Sequence, residues 1–383
     1  MKTVSLGFIP LIDAAPLIVA AEFGFAAEEG LAFDLVPAAS WSMLRDMLDF
    51  GKVEAAQMLS VVPVARSLGL GGGHQPLETA LVLSMNGQIT GLSAPCAARL
   101  GDVPFADPFA MGRALMGLGQ PLRIGVPFPF SMHVELLHYW LAKAAPNLRY
   151  ELRTIPPPRM AEMVLAGEID GFSVGEPWGS HAVDVAGARL LMPGAAIWSQ
   201  APEKVLAMRS GWADENPDVA GRLLRAVWRA TRWTADPANR TTLSEVLARS
   251  SYLDVSAELI ERALKGRLLV APSGQEADVP GFLTFFDGSA SFPWRSQAAW
   301  IGTRLAERFA LPIERSAEAA RKTFRSDLFR RHLAGVGAAL PRASEKAEGA
   351  MPQSERVSSA AGQLILNRNR FFDGQIFDPV PAI

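Results

Sequence analysis

The chain has 383 residues, 49% hydrophobic and 20% charged, which supplies apolar side chain for a sizeable core and is too long for one ordinary domain. Its 37 Lys and Arg against 39 Asp and Glu leave a formal charge of −2, so no basic excess is available to neutralise nucleic-acid phosphates. One cysteine, Cys96, excludes an intrachain disulfide framework and any Cys-clustered zinc or iron–sulfur site.

In chain order, the first 85 residues alternate strand and helix. Residues 3–9 are β-branched and apolar and predict a strand; Pro16 then opens a helix ending near Gly24. Lys2 ahead of this apolar stretch resembles a secretion signal, but Pro10, Asp13 and Pro16 interrupt it. No stretch reaches the roughly 18 apolar residues of a membrane span. The expectation is a cytoplasmic chain with no membrane segment. Residues 32–35 predict a second strand, and Ser40 is the N-cap of a helix from Trp41 to about Phe50. Strands follow at 57–59 and 79–84, around a helix at 63–70 that Gly71-Gly72-Gly73 ends.

The rhythm restarts with strands at 122–126, 150–154 and 169–174, around a helix capped by Ser131 that runs to about Ala144 and another at 159–166. A short strand at 206–208 precedes helices at 218–234 and 241–249. Residues 341–361 are small and polar and predict an exposed loop, whereas the aromatic-rich stretch 371–379 predicts a packed end. Strands alternating with helices argue for α/β architecture with open, mainly parallel sheets, most simply two consecutive doubly wound lobes carrying a helical C-terminal extension.

Little of this chain looks catalytic. The triple glycine lacks a following Lys-Ser/Thr and reads as a helix C-cap and turn rather than a phosphate loop. His74, His133, His138, His181 and His332 make no metal-binding spacing, and no Gly-x-Ser-x-Gly elbow is present. Neither metal, cofactor nor enzyme chemistry is expected. Glu176, Glu203 and Lys204 stand in apolar surroundings, where an exposed or ion-paired charge is the ordinary outcome.

Four short segments stand out jointly. Ser40-Trp41 places an indole at a helix start, where free N–H groups favour an anion. Asn86-Gly87-Gln88 follows a strand end with an amide side chain and backbone donors. Ser131-Met132-His133 again opens a helix, and Glu203-Lys204 brings an ammonium group. In open α/β sheets ligands bind beyond the carboxyl ends of strands, where the first three segments fall. Each alone also fits a plain role: Trp41 as helix–sheet packing, Gln88 as a solvated turn, His133 as a capped core residue.

These segments carry a resemblance to the nitrate- and bicarbonate-binding proteins of ABC importers, of NrtA and CmpA type, and to their soluble relatives, the NasS-type nitrate/nitrite sensors. The strings that match are Leu6-Gly7-Phe8-Ile9-Pro10-Leu11, Ser40-Trp41, Gly51-Lys52-Val53-Glu54-Ala55-Ala56-Gln57-Met58-Leu59, Asn86-Gly87-Gln88, Gly175-Glu176-Pro177-Trp178, Pro202-Glu203-Lys204-Val205-Leu206 and Phe372-Asp373-Gly374. The resemblance implies a two-lobed periplasmic-binding-protein-like fold of type II that closes about a hinge. Residues 1–88 and 200–383 would form a discontinuous first lobe and 89–199 an inserted second one.

It further implies that Trp41, Gln88, His133 and Lys204 contact an oxyanion, with a backbone donor near Gly87. Lys204 would neutralise the charge, Gln88 and His133 would donate N–H, and Trp41 would give a dry wall or its indole N–H. The implied ligand is nitrate or nitrite, with bicarbonate second. Because the first strand starts at Thr3 and Cys96 lies far inside, the sensor branch is expected. Such a protein holds a NasT-type RNA-binding antiterminator inactive and releases it on ligand binding, leaving RNA contact to the partner. The importer component is the alternative. The pyrimidine-precursor synthases that share this fold resemble Cys- and His-rich sites, which this chain lacks. Lys204→Ala is expected to abolish the nitrate response with little loss of unliganded stability.

Overall fold

A computed structural model describes residues 1–360 and 362–379. Two sheets organise it. The first contains β1 (Lys2–Phe8), β2 (Leu31–Pro37), β3 (Ala55–Leu59) and β4 (Leu77–Asn86). The second holds β5 (Gln88–Leu92), β6 (Leu122–Val126), β7 (Tyr150–Thr154), β8 (Gly171–Gly175) and β9 (Arg189–Pro193). The chain then returns to the first sheet as β10 (Pro202–Arg209). The first sheet has the order Leu283–Thr284, β4, β10, β3, β1, β2; the second has β7, β6, β8, β5, β9. Strands β3, β4, β5 and β8 are buried along their whole length, as expected for strands covered on both faces.

The sheets are mixed rather than mainly parallel. β1 is parallel to β2 and β3, and β6 to β7 and β8, but β10 runs antiparallel between β3 and β4, and β5 antiparallel between β8 and β9. The reason is the passage between sheets. β4 continues almost directly into β5 through Gly87, whose φ of +94° suits glycine. A Cβ there would lie 2.8 Å from Leu283 Cδ1. The return passage is tied to this one, since Asn86 N–H donates to the Ala201 carbonyl and Asn86 Nδ2 to the Ser199 carbonyl, both at 3.0 Å.

Two helix starts position the site. Ser40 caps Trp41–Asp49, its hydroxyl accepting from Met43 N–H at 3.2 Å, and Ser131 caps Met132–Ala144 through Val134 N–H at 3.4 Å. Helices of the C-terminal part pack on β4 of the first sheet and on the helix Met132–Ala144 beside the second. Arg308, near the end of the helix Arg295–Phe309, donates to Glu135 Oε1 at 2.6 Å and to the Pro129 carbonyl at 2.9 Å.

The stretch 341–360 is only in part the exposed loop that its composition suggests: 352–356 are exposed, but 348–349 are buried. Glu348 within it is fully buried, exchanging backbone bonds with Phe377 and accepting from Ser296 Oγ at 2.6 Å, and Asn369 Nδ2 donates to its second oxygen. The composition reads as solvated, but the Glu348 carboxylate is held inside by Ser296 and Asn369. A hairpin of 355–358 against 363–366 follows; Ala361, and residues 380–383 of the expected first lobe, lie outside the described residues. The aromatic end packs as expected, with Phe371 against Trp198 and Trp300 and Asp373 accepting from Tyr139 Oη at 2.9 and 3.0 Å. Among the described residues, no helix is long and apolar enough to cross a membrane.

Candidate functional site

The first sheet contributes an ion cluster buried where the two sheets meet. Glu203 and Lys204 are consecutive on β10, and a regular strand would send them to opposite faces. The pairing of β10 with β4 is irregular at Pro202, Lys204 and Val205, and such a bulge re-aims a side chain. Lys204 Nζ lies 2.7 Å from Glu203 Oε1 and 2.9 Å from Asp13 Oδ2. It also sits 5.4 Å from the centre of the Trp41 ring, within cation–π range. All four side chains are buried. An ammonium has three donors, so these two ion pairs leave one N–H to direct elsewhere.

Other residues hold the cluster. Gln57 of β3 accepts from Ile9 N–H at 2.9 Å and donates its amide to Asp13 Oδ1. Ser60 fixes the start of β10, its N–H donating to the Glu203 carbonyl at 3.0 Å and its hydroxyl to the Pro202 carbonyl at 2.6 Å. Burial raises the proton affinity of both Asp13 and Glu203, against the pull of Lys204. For Lys204, burial acts to lower the value, but Asp13 and Glu203 together outweigh it and the ammonium stays charged. His133 is pushed well below the usual imidazole range by burial and then by the charge of Lys204.

The second sheet supplies the opposite wall. Gln88 opens β5 directly across from Gly175 of β8, so the two share a face of the sheet. A Cβ on Gly175 would lie 3.8 Å from both Asp13 Oδ2 and His133 Nε2, and 3.2 Å from Leu11 Cδ2. The missing side chain thus opens the space that Leu11, Asp13 and His133 border, while the Gln88 amide lies over Gly194, where a Cβ would collide with Nε2. His133 Nδ1 is 3.2 Å from Glu203 Oε1, but off the line of a hydrogen bond. Trp41 Nε1, both amide atoms of Gln88, both ring nitrogens of His133 and Glu203 Oε2 are buried without a hydrogen-bond partner among the described residues. Buried polar atoms nearly always have partners, so this concentration marks a place where one further polar species completes the bonding.

Loops of the two sheets close over this space. Ile12 N–H donates to the Glu176 carbonyl at 3.0 Å, and Trp178 Nε1 to the Pro10 carbonyl at 2.8 Å. Among the described residues no group of three or more His, Cys, Asp or Glu side chains could hold a metal ion.

Of the residues singled out from sequence, Trp41, His133 and Lys204 lie around the cluster, whereas Gln88 stands opposite Gly175 in the sheet with its amide against Gly194. Gly87 shapes the passage between sheets, and its carbonyl accepts from Glu176 N–H at 3.2 Å. Asp13, Gln57, Glu203 and Gly175 were not among those candidates. The available signal was slight: an acidic residue in the apolar loop after β1, and a Gln and a Gly inside the matched strings.

Glu176 is also buried, with both carboxylate oxygens accepting from Ser180 N–H at 3.2 Å. Burial pushes its carboxyl up to about 7 from an ordinary 4.5, against the Ser180 bonds. A carboxyl raised on folding stabilises fully below its unfolded value and loses that contribution as pH climbs through the folded one, here from about 4.5 to about 7. Glu176→Gln should therefore lose less stability than the parent between pH 5 and pH 8, by roughly 2–3 kcal/mol. Urea unfolding of both proteins at the two pH values measures this difference, and equal losses would show that ionised Glu176 is not the source.

A family model described as the NMT1-like family matches residues 1–248. The chain is 32% identical over 390 residues to the nitrate/nitrite binding protein NrtA of Synechococcus elongatus, covering 99% of this chain and 84% of that protein. It is 35% identical over 332 residues to the nitrate import ATP-binding protein NrtC of Synechocystis sp., covering 85% of this chain but about half of that relative, 49%. The crystal structure of the periplasmic nitrate-binding protein NrtA from Synechocystis PCC 6803 has a TM-score of 0.85 to it at 26% identity, covering 99% of this chain and 96% of the other. The expected α/β, periplasmic-binding-protein-like fold is the fold observed.

Proposed function

This chain belongs to the NMT1-like family, and we propose that it binds nitrate or nitrite between its two sheets. The observation that carries the reading is the buried ammonium of Lys204 beside the Trp41 indole and the His133 ring, whose N–H groups, like the Gln88 amide, are buried without a partner among the described residues. Nitrate is planar, weakly basic and poorly hydrated, so a few directed N–H groups and a dry aromatic wall suit it. Lys204 supplies the charge and its third N–H, Gln88 its amide N–H and His133 a ring N–H, while Trp41 walls one side. The names of the relatives, nitrate/nitrite binding and nitrate import proteins, favour the same ligand.

For the role of binding, the reading is a NasS-type sensor that sequesters a NasT-type RNA-binding antiterminator and releases it when the anion binds. Its support is the motif resemblance together with a charge of −2, which leaves the RNA to the partner. This role requires a cytoplasmic location. A second reading, the binding component of a nitrate importer, is favoured by what the NrtA and NrtC relatives are named for.

Two measurements test these claims. Nitrate at a hundredfold its Kd should raise folding stability by about 2.7 kcal/mol, read as a shift in melting temperature. A shift with bicarbonate and none with nitrate or nitrite would remove the assignment. An antiterminator captured without nitrate and released with it supports the sensor; no capture under either condition selects the importer.

A further inference from the structure

We propose that the anion enters this site together with one proton, taken from solvent and held between His133 Nδ1 and Glu203 Oε1. The inference rests on the anion-binding reading above and concerns the charge balance of the same site. Four titratable side chains face the space: Asp13 from the turn after β1, Glu203 and Lys204 from β10, and His133 from the first turn of its helix. The next acids on the neighbouring elements point elsewhere. Glu135, two residues along that helix, is engaged by Arg308 at 2.6 Å, and Glu176 at the end of β8 by Ser180 N–H.

One ammonium therefore meets two carboxylates before any ligand arrives. With both carboxylates ionised, an added monoanion would make three negative charges against one positive in a water-excluded space, and uncompensated buried charge is strongly unfavourable. One proton offsets the charge that the anion adds and returns the site to the single net negative charge it carries without ligand. The nearest pair that could hold it is His133 Nδ1 and Glu203 Oε1, 3.2 Å apart and needing only a change of line to bond; among the described residues neither imidazole nitrogen has a hydrogen-bond partner, and Glu203 Oε2 has none either. A proton shared there leaves Nε2–H of His133 free to donate to the anion. It belongs to the pair rather than to one residue, and the only bond made is N–H or O–H. Burial favours the protonated carboxyl and the neutral imidazole, so the Glu203 side of the pair is the stronger holder.

Calorimetric titration of the whole protein with nitrate, between pH 6 and 9 and in two buffers of different ionisation enthalpy, tests this. The expected result is uptake of about one proton per anion, with Kd weakening up to tenfold per pH unit as pH rises. Glu203→Gln keeps the side-chain shape and an oxygen for Lys204, and should bind nitrate with a flat pH profile and no uptake. Wild-type binding with a flat Kd and buffer-independent heat overturns the proposal while leaving the anion reading intact. Full uptake retained in Glu203→Gln overturns it too. Nitrate that gives no heat with the wild type at any pH overturns the anion reading, and this inference with it.

Discussion

Lys204→Ala is expected to lower folding stability by about 3–5 kcal/mol and to abolish the nitrate-induced rise in melting temperature. The ammonium is fully buried and is the one cation paired with Asp13 Oδ2 and Glu203 Oε1, so truncation strands both carboxylates out of water. Read from sequence, Lys204 looked like a cation waiting for a ligand, and its loss was expected to leave the unliganded fold nearly intact. The structure reverses that expectation, because the charge the ligand meets is also a structural counter-ion. A triple change, Lys204→Met with Asp13→Asn and Glu203→Gln, separates the two effects. It removes all three charges at similar volume and should recover most of the lost stability without recovering nitrate binding. Urea unfolding and melting with and without nitrate read both; a loss under 1 kcal/mol for Lys204→Ala would mean that the carboxylates take up protons and need no counter-ion.

Gly175→Val should weaken nitrate binding at least a hundredfold, about 2.7 kcal/mol, while the protein still folds. The backbone at Gly175 does not lie in the left-handed region, so a side chain is admissible there on conformational grounds. What it would occupy is the space among Leu11, Asp13 and His133. Gly175→Ala should fall between: its methyl touches a Leu11 methyl at 3.2 Å, which can give way, and reaches Asp13 and His133 only at ordinary contact distance. The graded series Gly, Ala, Val in titration calorimetry therefore measures how much of that space the ligand uses. Equal affinity across the series would place the ligand elsewhere.

Much of the framework is legible because its signals are local. Ser40 and Ser131 announce their helices through side chains that bond three residues on, and β6 and β7 run over the residues that their apolar and β-branched content marks. β10 is the instructive failure. From sequence only 206–208 reads as strand, since Glu203 and Lys204 are charges whose ordinary outcome is exposure or ion pairing, yet the strand begins at Pro202. A charged pair becomes core only when its partner arrives, and Asp13 lies 191 residues before Lys204 in the chain. The sense of β5 was equally hidden, being set by a single turn through Gly87 rather than by the strand's own composition. The helix starts and strand ends that could carry a site were visible, but the network binding Gln57, Asp13, Lys204 and Glu203 is tertiary and leaves no spacing to count.

The two bonds that join the loops over the site use few side chains. One runs from the Ile12 amide to the Glu176 carbonyl, and the other from the Trp178 indole to the Pro10 carbonyl. Three of the four atoms are main chain, and none belongs to Trp41, Gln88, His133 or Lys204. Recognition and the linkage between the sheets are thus carried by different atoms, so the recognition side chains can be rewritten for another small anion without cutting either bond.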